Sequence, residues 1–146
     1  MSQLTIPRAR ALHGERAWID TGLRYCLTAV CAGSAGVHAA LIPPHFLESR
    51  LLGSAFTAAA IALALAALVV RRPRRDPWAI VAATATLCVI AVSYLLSRST
   101  GIPLLIAAPE HADPLGTVTT AAELAGAACG AVLMSRSVLM SRKDET

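Results

Sequence analysis

Four apolar stretches of about twenty residues each leave this chain few ways to fold, because about 20 residues of helix cross the roughly 30 Å hydrocarbon core of a bilayer. They lie at 22–42, 50–70, 77–97 and 114–134, within 146 residues that are 55% apolar and only 15% charged. A soluble domain carries about 25% charged residues. The apolar share comes mainly from Ala, Leu, Val and Ile, with two residues each of Trp, Tyr and Phe. That composition suits closely packed helices and lacks the aromatic girdles of a membrane barrel. It also excludes disordered, collagenous and disulfide-rich secreted classes. The expected fold class is all-α, a transmembrane four-helix bundle.

Punctuation supports these bounds. Pro43-Pro44 is expected to end span one, Pro73 and Pro77 to separate spans two and three, and Gly101 with Pro103 to follow span three. Asp113-Pro114 reads as an N-cap followed by Pro at the first helical position of span four. Residues 1–21 are read as an N-terminal segment in which 7–20 form a short interfacial helix with Trp18 at headgroup level. Residues 135–146 are read as a tail. Span one is too long for a signal-peptide core and lacks an A-x-A cleavage site. The Leu27-Thr28-Ala29-Val30-Cys31 run departs from a lipoprotein box because Val30 is bulky, so span one is expected to be retained.

Basic residues set the orientation. Arg8, Arg10, Arg16, Arg24, Arg71, Arg72, Arg74, Arg75, Arg136, Arg142 and Lys143 fall on one side, against Arg50 and Arg98 on the other. Both termini are therefore expected to be cytoplasmic, in the cell membrane. The net charge of +4 follows from this asymmetry facing anionic lipid and is not read as nucleic-acid binding.

The same topology gathers rare polar residues at the outer end: His38, His45, His111, Glu48, Glu110, Asp113 and, deeper, Glu123. His38 lies on a small-residue stripe with Cys31 and Ser34. His45 and Glu48, three apart, are expected to share a face in the first turn of the second helix, folded back beside His38 by the prolines. A His/Glu pair with a further His from a neighbouring helix is a constellation that Zn, Mn or Fe sites use in bundles. The bland reading is that His45 and Glu48 hydrate a short loop. Glu123 sits nine residues after Pro114, about 13 Å down its helix, where a carboxyl costs several kcal/mol unless neutral or paired. Thr119, Thr120 and Gly126-x-x-x-Gly130 place it on a close-packing face. It is read as interhelical glue, a metal ligand, a proton carrier or a partner of Arg98. Arg98, with Tyr94 one turn earlier, either snorkels to phosphate or pairs with Glu110, Asp113 or Glu123. The apolar segment 101–109 either lies on the membrane surface or dips back as a lid.

Cys26, Cys31, Cys88 and Cys129 form no C-x-x-C motif and are read as small buried hydrophobes. No Walker loop, G-x-S-x-G elbow or H-E-x-x-H helix is present.

The run His38-x5-Pro44-His45-x2-Glu48, with Gly53 and Phe56 after it, joins Ser97-Arg98-Ser99-Thr100-Gly101-Ile102-Pro103 and an acidic residue in span four, Glu123. Over roughly residues 25–130 this resembles a pattern in small four-span membrane proteins of high-GC Gram-positive bacteria, with Ile102 standing where that pattern carries Leu. The resemblance implies the topology and the polar positions and supplies no reaction.

Three functions compete. The first is a bound transition metal held by His38, His45 and Glu48 with His111 or Glu123. Mixed N and O ligands favour Zn, Mn, Fe or Cu(II), with no Met or Cys at that level for Cu(I), and haem is a variant lacking two imidazoles at matched depth. The second is an accessory subunit of a larger membrane complex or a homo-oligomer, suggested by Gly33-x-x-Gly36 and Gly126-x-x-x-Gly130. The third is an oligomeric transporter coupled to protons or cations through Glu123.

Overall fold

In the computed structural model, residues 6–72, 76–102 and 108–144 are described, with backbone alone for 6–16 and 139–144. Four helices follow one another: α1 (Ile6–Glu48), α2 (Arg50–Val70), α3 (Pro77–Ser99) and α4 (Pro114–Asp144). Each contains a stretch long and apolar enough to cross a membrane: Ala17–Glu48, Arg50–Val70, Pro77–Ser99 and Pro114–Val138. The chain runs up, down, up and down, with α1 beside α2 and α4, and α3 closing the ring between them.

Three expected boundaries are corrected. The 7–20 segment is no separate interfacial helix: it is the beginning of one continuous α1, because nothing between Trp18 and Leu23 except Gly22 interrupts the pattern. Pro43-Pro44 does not end that helix, which continues to Glu48. Proline lacks the N–H that would bond four residues back, but its fixed φ is helical, and apolar helices tolerate the loss. The true turn is at Ser49, whose backbone swings to φ −158, ψ 147 while its hydroxyl accepts from Leu52 N. At the other end, α4 runs on past Met134 through what was expected to be tail, no breaker intervening. The remaining ends fall as the punctuation predicts. Asp76 accepts from Trp78 N at 3.0 Å, Asp113 accepts from Gly116 N at 2.6 Å, and Gly101 closes α3 with φ 75, a left-handed turn that glycine makes without strain.

Packing divides the bundle into two halves. Toward the basic end a continuous core of Leu27, Cys31, Leu63, Ala67, Val70, Ile80, Ala83, Leu87, Ala127 and Leu133 fills the centre. Gly126 and Gly130 sit at its tightest point. A Cβ on Gly126 would run into Val30 of α1 and Leu87 of α3, and one on Gly130 into Thr84 of α3. Gly33 and Gly36, by contrast, face open space. Below the core Arg136 Nε donates to Asp20 Oδ1 at 2.7 Å, tying α4 to α1. Large apolar side chains cover the outside, among them Ile61, Leu65, Val89 and Val118, while Trp18 and Trp78 are exposed at the basic end. An outward-facing apolar shell with Trp at one rim is the surface that lipid solvates. Toward the opposite end the core gives way to a cleft.

Candidate functional site

The cleft occupies about 830 Å³ in the upper half of the bundle. Its walls owe their spacing to small side chains: Ala55, Ala58, Ala59 and Ala62 of α2 face Ala85, Thr86 and Val89 of α3. The α2·α3 contact is the slightest of the four neighbouring pairs, and several of these wall residues are also exposed on the outer surface. The cleft thus opens sideways between those two helices.

Glu123 forms its floor and is 1% exposed. Ser34, itself buried on α1, donates its hydroxyl to Glu123 Oε1. A carboxyl placed mid-span without such a partner would cost several kcal/mol. One turn above Ser34, His38 Nδ1 lies 2.9 Å from the Ser34 carbonyl oxygen and 3.4 Å from its hydroxyl. His45 repeats the arrangement, with Nδ1 2.7 Å from the carbonyl oxygen of Leu41. A carbonyl only accepts, so each Nδ1 is the donor there and each Nε2 takes no part in these contacts. Both imidazoles rest on Phe56 of α2: His45 stacks on it at 3.7 Å between centroids, and His38 is tilted against it at 5.4 Å. The two imidazoles are separated by no more than the sum of those distances.

Arg98 builds the roof. Nη1 donates to Glu110 Oε2 at 2.7 Å and Nη2 to Asp113 Oδ2 at 2.8 Å, so the guanidinium clasps the chain returning from α3 to α4. The Glu110 N–H bonds the Ser97 carbonyl at 3.0 Å in the same place. The guanidinium carbon lies 4.8 Å over the Tyr94 ring, and the Tyr94 hydroxyl reaches the Asp113 carbonyl at 3.3 Å and Thr117 Oγ1 at 3.1 Å. Arg98 Nε is buried without a partner among the described residues.

Of the expected ligands, His38, His45 and Glu123 line the one cleft, together with Arg98, Glu110 and Tyr94. Glu48 and His111 are exposed and do not line it. His45 and Glu48 belong to the last turn of α1, not to the start of α2, because the helix passes through the prolines. Arg98 pairs with Glu110 and Asp113 and not with Glu123. No group of three or more His, Cys, Asp or Glu is close enough to enclose a metal among the described residues. Of the segment expected to form a lid, residues 103–107 lie outside the described residues, as do Arg74 and Arg75. Sequence reasoning placed Ser34 on the His38 stripe without giving it the Glu123 contact, which joins residues 89 apart. Phe56 entered only through its place in a motif. Comparison with protein-family models, with curated proteins and with solved structures finds no match.

Proposed function

We propose that this chain is a multi-pass protein of the cell membrane, both termini cytoplasmic, that binds a transition-metal ion on the floor of its outer cleft through His38 and Glu123. The observation that carries the reading is the tethered pair: Ser34 holds the Glu123 carboxyl while its carbonyl fixes the His38 ring, leaving Nε2 free. A ring whose other nitrogen donates to a backbone carbonyl is oriented as metal-binding histidines are. One imidazole and one carboxylate supply the mixed N and O donors that suit Zn, Mn, Fe or Cu(II). His45 stands nearer the mouth, against Phe56, and joins the ion only if that ring turns aside. Coordination would be completed by water or by a small ligand within the cleft.

The buried Ser34 hydroxyl favours a second reading, in which Glu123 is a proton-carrying group. The hydroxyl contacts both the carboxyl and the imidazole, a sequence of groups along which a proton can pass.

Full-length protein purified in mild detergent, loaded in turn with Zn, Mn, Fe or Cu(II) and desalted, separates the two. The metal reading expects one ion per chain, retained at least about tenfold less tightly by His38→Ala and Glu123→Gln. Protein that keeps no metal, and whose thermal unfolding no metal shifts, overturns it. A Soret band in the optical spectrum would instead identify haem.

A further inference from the structure

Far from the cleft, two thiols meet. We infer that Cys26 and Cys129 form an oxidation site that hydrogen peroxide converts to a disulfide between α1 and α4. Cys26 lies on α1 and Cys129 on α4, and the Cys129 thiol stands 3.5 Å from Cys26 Sγ. The two residues are 103 apart in sequence, so only the docking of α4 against α1 brings them together. The other cysteines lack this arrangement. Cys31 is wholly buried in the core and Cys88 is exposed on α3, and neither has a thiol partner among the described residues.

Depth decides which oxidant can act. Six residues below Cys26 and seven below Cys129, Asp20 and Arg136 form their ion pair. At 1.5 Å per residue the thiols lie about 9–10 Å above that charged level, inside the apolar part of the bundle. Charged disulfides such as oxidised glutathione do not reach that depth. Hydrogen peroxide is small and uncharged and does. Cys26 is the more exposed of the two, so its sulfur meets the peroxide first.

In the first step the Cys26 thiol gives up its proton and its sulfur attacks one peroxide oxygen. The O–O bond breaks, and the departing hydroxide takes the proton to leave as water, giving a sulfenic acid on Cys26. In the second, Cys129 Sγ attacks the Cys26 sulfur, the S–O bond breaks, and hydroxide leaves with the Cys129 proton as a second water. Two thiols and one peroxide thus become one disulfide and two waters, the sulfurs losing two electrons and the peroxide gaining them. The attacking sulfur already stands 3.5 Å away and has to close to the roughly 2.05 Å of a disulfide bond. The resulting staple lies below Ser34 and Glu123 on the same two helices. It fixes the pair of helices that holds the cleft floor, whatever that floor binds.

The test uses the full chain in liposomes, treated with limited hydrogen peroxide, denatured and labelled with a polyethylene-glycol maleimide. Wild type is expected to fall from four adducts to two and to return to four after dithiothreitol. Cys26→Ser and Cys129→Ser should each show three adducts before treatment and, after it, no linked pair of cysteine peptides within one chain in unreduced digests. The double variant Cys31→Ala/Cys88→Ala should still lose both of its adducts. Mass spectrometry of oxidised wild type, which needs no variant to fold, should find the peptides containing Cys26 and Cys129 joined within one chain. Four adducts surviving in wild type, or a linkage through Cys31, Cys88 or a second chain, overturns the inference.

Discussion

Glu123 shows how one side chain is made tolerable in a place that opposes it. A carboxyl at mid-span survives because α1 delivers a hydroxyl to it, and α1 can do so because Ser34 is buried on the same stripe as His38 and Cys31. The partnership is asymmetric, and that asymmetry is measurable. In Glu123→Gln the amide oxygen still accepts from Ser34, so stability in mild detergent should change by less than about 1 kcal/mol. Ser34→Ala leaves a buried carboxyl without its donor and should cost about 1–3 kcal/mol. The reverse order in denaturant unfolding would mean that Ser34 is incidental to the burial of Glu123. Arg98 is treated differently by the fold. Its guanidinium serves two carboxylates at the mouth of the cleft, while Glu123 is held by Ser34. The Ser34 partner of Glu123 was not legible in the sequence, since it depends on which helix faces α4 at that height.

At the scale of elements, α1 and α2 meet at a serine and not at the two prolines. Ser49→Ala removes the acceptor for Leu52 N and should cost about 1 kcal/mol. Pro43→Ala, which restores a backbone donor inside a continuous helix, should leave stability unchanged or raise it. Equilibrium unfolding of the two variants distinguishes a cap at residue 49 from a break at residue 43, and a large loss for Pro43→Ala would restore the proline turn. The sequence shows more clearly where helices begin: Asp113-Pro114 places a side-chain acceptor beside a residue with no N–H to satisfy and caps as read, and Asp76, before the Pro77 read only as a break, caps α3 in the same way. It shows less well where an apolar helix ends, because proline punctuates soluble helices more strongly than membrane ones. The misplaced turn carried His45 and Glu48 onto the wrong helix, and with them a metal constellation that needed both. Gly126 and Gly130 were legible as a close-packing face, since a four-residue spacing leaves two gaps on one side of a helix. The contact between Cys26 and Cys129 was not, because no local spacing marks a meeting of thiols across two helices.

Over the whole molecule, the two ends of the bundle differ in charge while its core is the same whichever way it is inserted. Arg24, Arg71, Arg72 and Arg136 lie at one end, and Arg50 and Arg98 at the other, where Arg98 is already neutralised by Glu110 and Asp113. Lys and Arg in short loops hold their side of the membrane because moving them across it is unfavourable against the membrane potential and the anionic inner leaflet. The basic end should therefore face the cytoplasm and the cleft the outside. Reporter fusions after residue 74 and after residue 106 should give cytoplasmic and external signals respectively. The two junctions sit at opposite ends of α3, so equal signals at both would mean that α3 does not cross the membrane, and the four-span bundle would fail with it. Opposite signals in the reversed order would keep the bundle and turn the cleft inward, exposing His38 and Glu123 to the cytoplasmic pool of ions. That exchange makes orientation decisive for the cleft: it fixes the compartment to which His38 and Glu123 are open.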